Sequence, residues 1–116
     1  MQVCKKYYDY ILFADGRWRN LSLSEQMANI GSEVYRAVKF KNKNNIEYSK
    51  NAAYRALELI DLTIEAQYKK HSIKEFTRLR EVLCDYLLGD NEYNTDEKIM
   101  KYFDSFAYIA AYRKCR

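Results

Sequence analysis

The sequence predicts an all-α protein: an antiparallel up-down-up-down four-helix bundle over residues 21–116, behind a short N-terminal arm or helix over residues 1–20. Three observations carry this expectation. The 116 residues include no proline and only three glycines, so the corners of a β-sandwich or barrel lack the residues that build them. Apolar residues recur at spacings of three and four, the period of a helix with one buried face. A serine or asparagine followed three residues later by glutamate precedes each apolar stripe, so that each side chain can satisfy the other residue's free backbone N–H. The chain length fits one hydrophobic core.

The first helix starts near Ser22, with Glu25 as capping partner, and its stripe is Leu23, Met27, Ile30, Val34 and Ala37. It ends in Lys41-Asn42-Lys43-Asn44-Asn45, whose asparagines tolerate the left-handed backbone that closes a helix. The second runs from about Ile46 to Tyr68, with Asn44 and Glu47 as capping pair. Ile46, Ala53, Leu57, Ile60 and Ile64 form one stripe, with Ala52, Ala56 and Leu59 beside it. Ser72 and Glu75 open the third helix, where Ile73, Phe76, Leu79, Leu83, Tyr86 and Leu87 face inward and Gly89 is the natural left-handed terminator. Asn94 and Glu97 open the fourth, with Ile99, Phe103, Phe106 and Ala110 as its stripe. Connections this short join antiparallel neighbours. Ahead of the bundle, Tyr7, Tyr8, Tyr10, Ile11, Leu12 and Phe13 form a dense apolar patch before Asp15-Gly16.

Cys4, Cys84 and Cys115 form no CxxC pair and are odd in number, which points away from a disulfide framework or zinc knuckle and towards a reducing cytoplasm. The uncharged run after Asp9 is too short for a signal peptide, and no run reaches the length of a membrane span. The chain is therefore expected to be a cytoplasmic protein with no membrane partner.

The enzyme classes native to helical bundles fare poorly. A di-iron carboxylate site needs two Glu-x-x-His pairs, and His71 is the single histidine. All-α nucleotide pyrophosphohydrolases hold magnesium on a Glu-x-x-Glu and a Glu-x-x-Asp; Glu58 and Asp61 match the second half, and the first half has no counterpart upstream. Helical-bundle ribonucleases place an arginine shortly before the working histidine, and no arginine stands so placed before His71. Ser72 beside it reads as a helix cap rather than a nucleophile. The acidic run Asp85, Asp90, Glu92, Asp96 and Glu97 lacks calcium-loop spacing and reads as structural. No catalytic residue, metal or cofactor is expected.

The net charge of +4 permits a nucleic-acid partner without demanding one. In the expected topology one pole gathers Arg17, Arg19, Lys69, Lys70, Lys74, Arg78, Arg113, Lys114 and Arg116, with Glu25, Glu65 and Glu75 nearby. Cations at helix C-termini complement the macrodipole and explain Lys69, Lys70, Arg113 and Lys114 without a ligand. Arg17, Arg19, Lys74 and Arg78 lie on the N-terminal side of their helices, so they are the better candidates for phosphate contact. Tyr7, Tyr8, Trp18, Tyr68, Tyr108 and Tyr112 fall near the same pole, where rings can stack on unpaired bases. Tyrosine suits protein interfaces equally well, and Tyr7, Tyr8, Tyr10 and Trp18 are the interface candidates for a homo-oligomer or a protein partner.

At Ala28-Asn29-Ile30, followed by Glu33 and Arg36, and then at Glu47-Tyr48 leading to Ala52-Ala53 and Ala56-Leu57-Glu58-Leu59, the pattern resembles two helices of a bacterial bundle family. That family comprises proteins encoded in ribosomal-RNA intervening sequences and the accessory variability determinants of diversity-generating retroelements. Its members carry a longer helix and a proline ahead of this segment, and this chain has neither. The resemblance implies a basic oligomeric bundle that accompanies RNA or a ribonucleoprotein. The leading expectation is thus a non-enzymatic accessory protein that holds RNA or DNA phosphates at its basic pole within a nucleoprotein complex. The alternative is a protein–protein adaptor that docks through tyrosine-rich faces.

Overall fold

The computed structural model describes residues 17–68 and 73–114, and four helices are present among them: α1 (Leu23–Asn42), α2 (Ile46–Gln67), α3 (Lys74–Leu88) and α4 (Ile99–Lys114). They form the expected up-down-up-down bundle. The α1–α2 hairpin is fixed by a ladder of cross-links whose numbering descends in one helix as it rises in the other. Ser49 Oγ donates to the Ala37 carbonyl at 2.7 Å, Arg55 reaches Glu33 at 2.8 Å, and Gln67 donates to Gln26 at 3.1 Å. Arg80 binds Asp61 at 2.7 Å between α3 and α2, and the Lys41 ammonium lies 6.0 Å from the Tyr86 ring centre, which sets the end of α3 beside the end of α1. α4 runs back along α1, with Phe103 against Gly31.

The α1 stripe behaves as its spacing requires: Met27, Ile30, Val34 and Ala37 are fully buried, facing Ala52, Ala53, Ala56, Leu59 and Ile60 of α2. Small residues on α2 let the two backbones approach closely. α3 contributes Phe76, Leu79, Leu83 and Leu87 to the same core. α4 adds far less, with Phe103 and Ala110 its buried apolar side chains. Ile46 departs from the expected stripe and is 51% exposed, although the first turn of α2 packs on the last turn of α1 through Tyr48 and Phe40.

The capping box at Ser22 is present in both directions, Glu25 N–H to Ser22 Oγ at 3.2 Å and Ser22 N–H to the Glu25 carboxylate at 3.1 Å. Two of the other three capping pairs need correction. Asn44 takes the left-handed backbone (φ 61°) that closes α1, so the cap of α2 falls to Asn45, whose side chain accepts from the Tyr48 N–H at 3.4 Å. α3 is preceded by Ile73 without a side-chain cap, and Glu75 accepts instead from the Tyr102 hydroxyl at 2.9 Å; Ser72 lies outside the described residues. Asn94 is again left-handed (φ 54°), and α4 begins only at Ile99. Gly89 is extended rather than left-handed (φ −107°, ψ −158°), and its N–H closes α3 on the Asp85 carbonyl. Left-handed geometry passes to Asn91 (φ 55°), whose side-chain amide both donates to the Thr95 carbonyl and accepts from its N–H.

Trp18, expected as an interface candidate in an N-terminal arm or short helix, is a core residue of the chain's own bundle at 4% exposure. Its indole N–H donates to Thr63 Oγ1 at 2.9 Å, and its carbonyl accepts from fully buried Gln26 at 2.8 Å. Gln26 in turn accepts from Gln67, so the buried polar groups satisfy one another and bind residues 17–21 to the α1–α2 hairpin. The other interface candidates, Tyr7, Tyr8 and Tyr10, lie outside the described residues.

Two consequences are measurable. A Cβ built on Gly31 would sit 2.6 Å from Phe103 Cβ, a clash between elements that neither helix can relieve locally. Gly31→Ala is therefore expected to destabilise the fold by about 1–3 kcal/mol in urea unfolding, despite the helix propensity alanine gains. Separately, burial, and then the hydrogen bond and charge of Glu75, raise the Tyr102 phenol above the ordinary tyrosine value. A folded-state value above the unfolded one leaves stability intact below pH ~10 and erodes it as pH climbs towards the folded value. Above pH ~10 the wild type should therefore lose stability faster than a chain without this phenol. Tyr102→Phe should remove that share of the alkaline slope; an unchanged slope would contradict the assignment.

Candidate nucleic-acid interface

The antiparallel directions turn the start of α1, the end of α2, the start of α3 and the end of α4 the same way along the bundle, although the first turn of α3 meets the first turn of α4 through Glu75 and Tyr102. Of the cations predicted at the basic pole, Arg17, Arg19, Lys74, Arg78 and Arg113 have described side chains, all exposed. Lys114 closes α4, and Lys69, Lys70 and Arg116 fall outside the described residues. Lys74 and Arg113 make no ion pair among the described residues. Arg19 binds Glu65 at 2.7 Å, but both side chains are more than half exposed, and such pairs are worth about 0–1 kcal/mol, little enough for a phosphate to displace. Arg78 is turned away to the connection after α3, where its guanidinium lies 5.1 Å from the Tyr93 ring centre. Tyr68, Tyr108 and Tyr112 expose 64, 73 and 60% of their surface.

The acidic run is structural where its side chains are engaged. The Asp85 carboxylate accepts the backbone N–H groups of Glu92 and Tyr93 at 2.8 and 3.1 Å, folding the 89–98 connection back on α3. Tyr93 extends along that helix, its hydroxyl donating to Glu81 at 2.8 Å, and this bond first among several influences raises the phenol's pKa. Asp96 accepts from the Lys98 N–H, and Asp61, half of the carboxylate pair weighed for magnesium, is taken by Arg80. Among the described residues no three His, Cys, Asp or Glu side chains cluster as metal ligands. No described helix is long and apolar enough to cross a membrane.

A second charged feature, absent from the sequence reading as a site, lies between α1 and α4. A groove of about 670 Å³ runs from Ala28 and Ala107 at the basic-pole end to Lys39 and Met100 at the other. Along its α1 wall stand Tyr35, Arg36, Lys39 and Phe40, with Arg55 of α2 behind and Asp104 of α4 opposite. Glu33 holds the two arginines: one oxygen accepts from Arg36 at 2.6 Å and the other from Arg55 at 2.8 Å, while the carboxylate itself is 9% exposed. The signal in the sequence is the Glu33–Arg36 spacing of three and the Tyr35–Lys39 spacing of four. Nothing local connects either to Arg55.

Comparison with models of known protein families, with curated proteins and with solved structures finds no match.

Proposed function

We propose that the chain is a small non-enzymatic accessory protein that holds RNA or DNA phosphates at its basic pole within a larger nucleoprotein complex. One observation carries the reading: Lys74 and Arg113 are exposed and make no ion pair among the described residues, Arg19 is only weakly paired, and Tyr68, Tyr108 and Tyr112 expose their rings. Cations hold phosphates by charge and release counterions as they do so, while tyrosine rings add stacking that tolerates any base. The resemblance to ribosomal-RNA intervening-sequence proteins and retroelement accessory proteins points to the same class of partner.

The test is filter binding of a labelled oligonucleotide across a salt series. Four phosphate contacts imply a log–log slope near about −3, so raising salt fourfold should weaken binding about 50-fold. Lys74→Glu combined with Arg113→Glu should lower affinity and flatten the slope. Affinity indifferent to salt, or no binding, removes the proposal.

A second reading is favoured by the outer face of α4, where Tyr108, Ile109 and Tyr112 are 73, 40 and 60% exposed. A protein–protein adaptor or homo-oligomer would bury that apolar area. Its sign is a solution mass above that of one chain that persists at high salt and collapses on Ile109→Glu.

A further inference from the structure

We infer that the ligand is specifically a single strand, and that the α1–α4 groove seats it; the inference rests on the phosphate-binding reading of the basic pole. The groove begins at Ala28 and Ala107, on the side of that pole, and leads away from it along α1. Its volume of about 670 Å³ suits a few flexible units of a chain, whereas a duplex is far wider than the space between two packed helices.

The chemistry of the walls fits that occupant. Glu33 is buried and each of its oxygens already accepts an arginine, so its negative charge is spent inward. Arg36 and Arg55 each give Glu33 one N–H and retain the remainder of their five donors for an acceptor in the groove. Lys39 carries no ion pair among the described residues and adds a further cation. These donors all come from α1 and α2, whereas the α4 wall carries Asp104, which repels phosphate and accepts from base amino groups. Phosphates would follow α1, and bases would turn towards α4. Tyr35, 57% exposed on the same wall, offers its ring to a base face, which only an unpaired base can present.

Fluorescence anisotropy would compare a labelled oligo(U) and oligo(dT) with a duplex of equal length, using the full chain. The expected result is affinity for the single strands at least about tenfold above the duplex, falling about tenfold in Tyr35→Ala and in Arg36→Gln/Lys39→Gln. All three positions are exposed; Tyr35→Ala also leaves the Glu33 pairs intact, so it stays informative if Arg36→Gln loosens the fold. Equal affinity for duplex and single strand, or binding lost with Lys74 and Arg113 but untouched by the groove substitutions, overturns the groove and leaves the pole standing. Loss with the groove substitutions alone overturns the pole and keeps the groove. Absence of binding to every oligonucleotide overturns both.

Discussion

Replacing Phe103 by alanine is expected to destabilise the protein by about 3–5 kcal/mol, a large share of the total for a domain of this size. The cost is concentrated there because α4 has so few other anchors. Phe103 is 2% exposed, packs directly on Gly31 and receives the edge of the Tyr102 ring at a centroid distance of 5.4 Å. Truncation would leave a cavity that the neighbouring helices cannot fill, since Gly31 has no side chain to extend into it. Phe106, stacked edge-on with Tyr102 but only partly buried, should cost well under half as much when truncated. Urea unfolding measures both substitutions. Hydrogen exchange should show α4 losing protection first in Phe103→Ala while the α1–α2 hairpin keeps its own. A loss below about 1 kcal/mol would mean that α4 is held by something other than this contact.

The helices were legible because their information is local. A period of 3.6 residues places Met27, Ile30, Val34 and Ala37 on one face whatever lies opposite, and all four are fully buried. Ser22 with Glu25 was legible for the same reason, both bonds spanning one turn. The same pattern misled at Asn44 and Asn94, because each connection also needed a residue that accepts positive φ and asparagine served that need first. Trp18 could not be read as core: its partner Thr63 is 45 positions away, and sequence spacing carries no trace of a bond that far apart. The pole followed from helix directions alone, but the diversion of Arg78 to Tyr93 and the pairing of Arg19 with Glu65 depend on tertiary placement. Arg55 was hidden in the same way, since only the closed hairpin sets it against Glu33.

Removing that carboxylate is the second large expected effect: Glu33→Ala should cost about 2–4 kcal/mol. The carboxylate is 9% exposed and bridges α1 to α2, so its loss leaves the Arg55 guanidinium, 29% exposed, without its acceptor between the helices. Arg36 should suffer less, because at 56% exposure water replaces what Glu33 supplied. Double-mutant cycles separate the two. The Glu33–Arg55 coupling is expected at about 1.5–3 kcal/mol and the Glu33–Arg36 coupling at about 0.3–1 kcal/mol, although the latter bond is the shorter. Equal couplings would show that burial does not govern the strength of this triad. Glu33→Gln should fall between wild type and alanine: its amide oxygen can still accept from one arginine, while its NH2 faces the other donor to donor. Because both arginines line the α1–α4 groove, any single-strand affinity lost in Glu33→Gln beyond the loss of folded protein would measure how far Glu33 orients them.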